Sequence, residues 1–183
     1  KGKIIFDGDV EEGIAIYFNG DFDQASYLNL ETYKRHKHVT RKIVVSSTEF
    51  LGRDKSVFSD EEDIILGIRW SSKANLSNLM FRYSLRNGSD IPIGTSTIQL
   101  GDAVDNEHRL LKLILEKRFL APGDYYVNFE FYQLDNANNS VCHDQILKST
   151  RFQVVSDKIV WRQDWWGNIQ NIPLTIDDGY EKK

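Results

Sequence analysis

The chain has little cysteine, little proline and no long apolar run, and each scarcity narrows what it can be. Its 183 residues include one cysteine, Cys142, and three prolines. A lone thiol cannot form an internal disulfide, which fits a reducing compartment. No apolar run approaches the roughly 20 residues that a membrane-spanning helix needs, and no secretory leader is recognisable. With 12% aromatic and 40% hydrophobic residues, the composition is that of a packed globular protein.

The charge balance and the missing nucleotide motif exclude two further classes of function. A formal net charge of −4 argues against a nucleic-acid partner, because phosphates favour a basic surface. The basic run 34–42 has no aromatic residue interleaved for base stacking, so we interpret it as a solvated linker. No G-x-x-x-x-G-K-[ST] loop occurs, so this chain cannot hydrolyse ATP by itself.

Three groups of side chains have the residue types of a reactive site, and for each the simpler interpretation is favoured. His36 and His38 form an H-x-H pair, but no third ligand stands at metal-site spacing. Neighbours on a strand point to opposite faces, so Cys142 and His143 are interpreted as a plain cysteine and a loop histidine. The acidic clusters at 60–63 and 177–178 are interpreted as solvated surface. We therefore expect no catalytic residue, no metal and no cofactor in this chain.

Hydrophobic residues recur at every second position along much of the chain after residue 40, which predicts β-strands. The clearest alternation lies in 124–133. Further strands are predicted at 41–50, 63–70, 79–85, 108–118 and 151–155. Turn residues separate the strands, as in the Pro-Gly pair at 122–123 and the polar run 135–140. We predict an all-β fold, an antiparallel β-sandwich of the immunoglobulin-like or jelly-roll kind.

Residues 1–20 follow a different pattern and open without an initiator methionine. A short apolar run at 4–6 precedes Asp9, which is placed as a helix N-cap, and Glu12 completes a capping box. We expect a short strand and one amphipathic helix here, whose apolar faces need a neighbouring domain. Residues 21–38 are interpreted as a linker with one short helical turn around 27–33, and the sandwich is expected over 39–183.

Two stretches of the chain resemble a known family. The run G-K-I-x-x-D-G-D-V-E-E-x-I-x-x-Y at 2–17 resembles the end of the nucleotide-binding domain in ATP-binding subunits of polysaccharide-exporting ABC transporters. The pattern L-x-P-G-x-Y-x-V at 120–127, followed by F-x-V-V at 152–155, is similar to the last strands of the C-terminal domain in Wzt-type O-antigen exporters. The resemblance implies that 1–20 is the remnant of a nucleotide-binding domain and that a β-sandwich follows it.

The resemblance also implies a function. It implies a non-catalytic carbohydrate-binding domain that recognises the end of a lipid-linked O-antigen polysaccharide and couples this recognition to export. The implied partners are that polysaccharide, a second copy in a homodimer and the membrane permease, at the cytoplasmic face of the bacterial inner membrane. Two alternatives stay open. One is a structural domain that dimerises the ATPase or contacts the permease without binding glycan, and the other is a glycan-modifying enzyme on a sandwich scaffold.

A glycan site is predicted on an outer sheet face. Aromatic rings bind the C–H faces of sugars, and planar polar side chains pair with neighbouring hydroxyls. Opposite the core face of 124–133, alternation places Tyr126, Asn128, Glu130 and Tyr132. Arg82 and Arg69 point outward from their own strands and join this set if those strands are neighbours. The simpler alternative is that these outward residues only decorate the sheet.

Three of the four tryptophans lie close together near the C-terminus: Trp161, Trp165 and Trp166. Such a cluster suits a packing role, a dimer seam or a ligand platform, and packing or dimerisation is favoured. The run 168–176 can add an edge strand, because Pro173 lacks an amide donor. Pairing of that strand with a second copy is a hypothesis.

Overall fold

The fold is described by a computed structural model over residues 25–117, 119–157, 161 and 166–170. The strand and helix expected in 1–20, Trp165, Pro173 and the acidic pair at 177–178 lie outside these residues. The described part contains nine β-strands: β1 Tyr27–Asn29, β2 Ile43–Phe50, β3 Val57–Ser59, β4 Ile64–Ser72, β5 Leu76–Asn87, β6 Pro92–Ala103, β7 His108–Leu115, β8 Gly123–Leu134 and β9 Ser140–Val155.

The strands form two sheets packed face to face, which confirms the predicted β-sandwich. One sheet has four strands in the order β1-β2-β4-β7, and the other has five in the order β3-β9-β8-β5-β6. Neighbouring strands are antiparallel, except that the short β3 runs parallel to β9. The order places β5 and β9 on either side of β8, so these three strands share one outer surface.

The core lies between the two sheets and is rich in aromatic side chains. The inward face of β8 carries the residues that the alternation predicts, and all of them are buried: Tyr125, Val127, Phe129 and Phe131. The rings of Trp70 and Phe131 meet across the sandwich with centroids 5.2 Å apart. Burial of each such side chain contributes about 1.5–3 kcal/mol, so the inward face of β8 is a main source of stability.

Several strands were not expected from the sequence. The helical turn expected around 27–33 is instead strand β1 followed by a turn. No alternation predicts β3, and β6 has no hydrophobic period because most of its residues are exposed. The first half of β9 precedes the strand predicted at 151–155 and has no clear alternation. Its register against β8 shifts twice, and polar residues such as Asp144 point inward, so the alternation is broken.

A buried ion pair joins the segment before β2 to the first half of β9. Arg35 Nε donates to Asp144 Oδ1 at 2.6 Å and Arg35 Nη2 to Asp144 Oδ2 at 3.1 Å. The two side chains are 3% and 0% exposed. The remaining guanidinium donors bind the carbonyl oxygens of Leu30, Tyr33 and Val45. The interpretation of the basic run 34–42 as solvated is therefore wrong for Arg35.

The same side of the sandwich is closed by further contacts between β9 and the chain that leads into β2. The carboxylate of Asp144 also accepts from Val45 N of β2 at 2.7 Å. The hydroxyls of Thr48 and Thr150 lie 3.3 Å apart. Backbone amides of Thr40 and Arg41 donate to the carbonyls of Cys142 and His143. These contacts tie β9 of one sheet to β2 of the other and to the chain that precedes β2.

His143 is a buried strand residue rather than a loop histidine. Its Nδ1 lies 2.8 Å from Thr40 Oγ1, and its Nε2 lies 2.9 Å from Gln133 Oε1. Burial lowers the pKa of His143, and nearby Lys42 lowers it further. The folded protein therefore holds this imidazole neutral, with both ring nitrogens in hydrogen bonds.

We expect Arg35→Ala to destabilise the fold by about 3–5 kcal/mol, because it leaves the Asp144 carboxylate buried without its counter-ion. Urea unfolding measures this loss. The matched control is Arg69→Ala: Arg69 is exposed and lies 3.7 Å from Glu49, so its loss costs less than about 1 kcal/mol. Equal losses in the two variants would contradict a structural role for the Arg35–Asp144 pair.

We also expect stability to fall as the pH drops from about 7.5 to about 5.5, because the unfolded chain then binds a proton at His143 more readily than the folded chain does. In His143→Gln this part of the pH dependence disappears. Urea unfolding at the two pH values gives the difference for each variant. A wild-type pH dependence in His143→Gln would refute this assignment.

Candidate functional site

The predicted site residues of β5 and β8 meet on the outer face of the five-stranded sheet. Arg82 of β5 lies opposite Glu130 of β8, and Glu130 lies opposite Gln145 of β9. One step along the sheet, Ser84 lies opposite Asn128. Cross-strand partners point to the same face, so these side chains form two adjacent polar rows.

A shallow hollow of about 180 Å³ opens between these rows, and we call it the sheet hollow. Three of the predicted residues line it: Arg82, Asn128 and Glu130. The other lining residues were not predicted: Ser84, Phe129, Gln145 and Leu147. It lies on three adjacent strands of one sheet, so its shape is set by strand pairing rather than by a loop.

A hydrogen-bonded network crosses the sheet hollow. Arg82 Nη1 lies 3.0 Å from Glu130 Oε1, and Gln145 Nε2 donates to Glu130 Oε2 at 3.1 Å. Asn128 Oδ1 accepts from the backbone amide of Lys148 at 2.7 Å. Within the described residues, the Asn128 amide nitrogen, the Ser84 hydroxyl and the Gln145 carbonyl oxygen have no protein partner. The hollow therefore presents both donors and acceptors to a ligand.

The two predicted tyrosines do not form an open aromatic platform. Tyr126 and Tyr132 are 5% and 4% exposed. The Arg82 guanidinium lies over the Tyr132 ring, 4.7 Å from its centroid. That contact is a cation–π arrangement, so the ring supports the arginine and holds it at the edge of the hollow.

Tyr126 belongs to a charged cluster at one end of the same face. Its hydroxyl donates to Asp90, and Arg86 and Lys148 also donate to that carboxylate. The hydrogen bonds from Lys148, Tyr126 and Arg86 hold the pKa of Asp90 well below its usual range. Burial raises the pKa of Tyr126, and its bond to Asp90 adds to the increase. The phenol thus stays protonated and acts as a fixed donor.

Arg69 lies on the other side of the molecule. Its strand, β4, belongs to the four-stranded sheet, where its guanidinium is exposed near Glu49. Arg69 was grouped with the other candidates on the condition that their strands are neighbours. β4 is not a neighbour of β5 or β8, so that condition does not hold. Arg69 is therefore no part of the surface around the sheet hollow.

A second hollow of about 360 Å³ adjoins the first, and we call it the loop hollow. The chain before β2 provides most of its lining, and β9 provides the rest: Tyr33, Lys34, Arg35, His36, Lys37, Gln145 and Leu147. Gln145 and Leu147 line both hollows. The two hollows are therefore neighbours, and we call them together the groove.

Sequence reasoning missed the β9 contribution to this groove. Gln145 and Leu147 lie in the first half of β9, before the strand that the alternation predicts at 151–155. The available signal was the pair Ile146 and Phe152, both buried in the core, on either side of a short polar run. The inward Asp144 and the register shifts concealed the strand.

The described part of the tryptophan cluster packs within the chain. The rings of Trp161 and Trp166 meet edge to face with centroids 5.5 Å apart, and Trp161 Nε1 donates to Gly167 O at 2.7 Å. Ile169 forms an antiparallel bridge with Leu120. The start of the run 168–176 thus pairs with its own chain, and residues 171–176 lie outside the described part.

The groups considered for catalysis and metal binding lie apart from the groove or lack ligand geometry. Burial raises the pKa of the Cys142 thiol to about 12, and Glu130 and Asp144 add to the increase, so the reactive thiolate is scarce at neutral pH. Among the residues that the structure describes, no group of three or more His, Cys, Asp or Glu side chains is placed to hold a metal ion.

Comparison with known proteins gives a family match and similar solved structures. The family model of the Wzt C-terminal domain matches residues 34–162. The crystal structure of the C-terminal domain of wzt is similar at a TM-score of 0.61 and 12% sequence identity, over 88% of this chain and 95% of that chain. A Niemann-Pick type C2 protein from Japanese carpenter ant reaches a TM-score of 0.43 at 7% identity, over 67% of this chain and 100% of that chain. The curated proteins contain no match.

The fold and the groove define a β-sandwich domain with a polar, sheet-borne surface. The chain belongs to the Wzt C-terminal domain family, as the sequence resemblance predicts. Family membership connects it with O-antigen export by ABC transporters, and it fits a glycan-binding role and a dimerisation role equally well. Over the described ranges, no helix is long and apolar enough to cross a membrane.

Proposed function

We propose that this domain is a non-catalytic carbohydrate-binding module. It binds the end of a lipid-linked O-antigen polysaccharide at the cytoplasmic face of the bacterial inner membrane and couples that binding to export. Its partners in that process are a second copy of the chain and the membrane permease of the transporter. The observation that carries the proposal is the sheet hollow, in a chain of the Wzt C-terminal domain family.

The chemistry of the hollow supports a polyhydroxyl ligand. A sugar presents neighbouring hydroxyls that both donate and accept, and the hollow has the matching groups in Ser84, Asn128 and Gln145. Arg82 is partly exposed and retains guanidinium donors that its bond to Glu130 does not use. Leu147, also exposed, offers an apolar contact for the C–H face of a sugar ring.

The shape of the site sets the expected affinity. An open face buries only part of a short glycan, and among the described residues that line the sheet hollow the one aromatic ring, Phe129, is buried. We expect dissociation constants in the millimolar to micromolar range, roughly −4 to −8 kcal/mol. Paired domains engaging chains at a membrane surface compensate through a high local concentration.

We expect Arg82→Ala to weaken glycan binding about tenfold or more, because a hydrogen bond from a charged group contributes about 1.5–3 kcal/mol. The measurement is a titration of ¹⁵N-labelled protein with O-polysaccharide purified from the source organism, followed by amide NMR shifts. Arg69→Ala is the matched control, since it removes an exposed arginine from the opposite sheet.

The shifts should cluster at Ser84, Asn128 and Gln145, and Arg69→Ala should bind as the wild type does. An absence of shifts at saturating polysaccharide would rule out the glycan-binding function. If Arg82→Ala and Arg69→Ala weakened glycan binding equally, the binding site would not be the sheet hollow.

A second candidate function is dimerisation of the transporter ATPase, and strand β6 favours it. β6 is a 12-residue strand at the edge of the five-stranded sheet, and among the described strands it pairs with β5 alone. Residues 91–101 contain no charged side chain, and Ile98 is 40% exposed. Long, uncharged edges readily pair with another strand.

The other edge strands are less open to pairing. β1 and β3 have three residues each, and β7 carries Arg109 and Lys112. An antiparallel pair of β6 strands from two copies brings no like charges together in any register of 91–101. A second copy of this chain therefore fits the β6 edge.

We expect the protein to dimerise reversibly and the double variant Thr95→Lys/Gln99→Lys to be monomeric, because like charges then face each other across the paired strands. Sedimentation velocity over a range of concentrations measures the change. The control Asn136→Lys/Ala137→Lys adds the same charge in an exposed turn and leaves the dimer intact. A monomeric wild type, or a dimeric Thr95→Lys/Gln99→Lys variant, would exclude the β6 interface.

A further inference from the structure

The loop hollow points to the class of glycan that this surface binds. We propose that the ligand is an acidic glycan, in which neutral sugar occupies the sheet hollow and an adjacent carboxylate or phosphate is bound by Lys34 and Lys37. This inference rests on the proposed glycan-binding function and adds the substrate class to it.

The two hollows are neighbours that share two lining residues, so a ligand longer than one sugar can contact both. Gln145 and Leu147 form part of the lining of each. The loop hollow is the larger of the two, at about 360 Å³ against about 180 Å³. A chain of two or three sugars that enters the sheet hollow therefore extends over β9 toward residues 33–37.

The two hollows differ in charge. In the sheet hollow, Arg82 and Glu130 form an ion pair at 3.0 Å, so their opposite charges cancel. The lining of the loop hollow contains no carboxylate, while Lys34 and Lys37 are exposed there. The chain as a whole has a net charge of −4, so this basic stretch is a local exception.

Arg35 does not share that role, although it lies between the two lysines. Its guanidinium is turned inward, where the Asp144 carboxylate neutralises it. The positive charge available to a ligand therefore comes from the lysines. An ammonium group at the end of a flexible chain binds a carboxylate or a phosphate as a point charge, without a fixed fork geometry.

The lysines stand on a backbone that is fixed to β9. Tyr33 Oη donates to Leu147 O at 2.6 Å, and Arg35 Nη1 donates to Tyr33 O at 2.8 Å while the same side chain binds Asp144. The segment 33–37 is thus held beside the groove before a ligand arrives. Because the segment is already ordered, binding costs less conformational entropy, and weak contacts are enough to give measurable affinity.

The test uses three defined disaccharides: cellobiose, cellobiouronic acid and cellobiose 6′-phosphate. Each is titrated into the ¹⁵N-labelled chain at low salt and again at high salt. We expect one or both anionic disaccharides to bind about three- to tenfold more tightly than cellobiose, because two exposed ion pairs contribute modestly. High salt should remove that advantage, because it screens exposed charges. The anion that gains more distinguishes a carboxylate from a phosphate ligand.

The variant Lys34→Gln/Lys37→Gln should bind all three disaccharides equally, with the affinity for cellobiose unchanged. The control Lys55→Gln/Lys112→Gln removes the same charge from exposed positions elsewhere and should keep the advantage. Equal binding of neutral and anionic disaccharides by the wild type would overturn the acidic-glycan proposal alone. The same proposal would be overturned if Lys34→Gln/Lys37→Gln still bound the anionic disaccharides more tightly than cellobiose. It would also be overturned if Lys55→Gln/Lys112→Gln lost that preference. Failure of all three to bind would overturn this inference, while the titration with O-polysaccharide decides separately whether the glycan-binding function fails with it.

Discussion

The architecture depends on one buried ion pair. Arg35 and Asp144 connect the segment before β2 to β9, and β2 itself joins through Val45. A buried pair is stabilising only when its remaining donors and acceptors are satisfied. Here the guanidinium also binds three backbone carbonyls, and the carboxylate accepts two backbone amides, those of Val45 and Gln145. The pair thereby closes one side of the sandwich and orients Gln145 beside the sheet hollow.

The central strand could be predicted well because its two faces differ sharply in polarity. In β8 every inward residue from 125 to 131 is apolar or aromatic, and the outward set contains Asn128 and Glu130. Alternation then gives both the core and the outer face. It says nothing about which strands are neighbours, which is why Arg82 joined the site and Arg69 did not. That information comes from the sheet order, a long-range property.

The rest of the groove could not be predicted, for two physical reasons. β9 places Asp144 inward for Arg35, so its pattern fails at the point where it contributes Gln145 and Leu147 to the hollows. The burial of Tyr126 and Tyr132 depends on long side chains from other elements, Arg82 above one ring and the Asp90 cluster around the other hydroxyl. A tyrosine that points outward from a sheet is therefore not necessarily exposed.

Stability and recognition are linked through the same stretch of chain. Residues 33–37 carry one arginine that turns into the molecule and two lysines that remain outside. Because Asp144 neutralises Arg35, the buried charge adds nothing to the field in the groove, and the exposed charge is left to side chains on a fixed backbone. The ion pair that holds the sheets together thus also determines which charges meet a ligand. A domain of this kind can change its glycan preference by substituting exposed residues of this segment without altering its core.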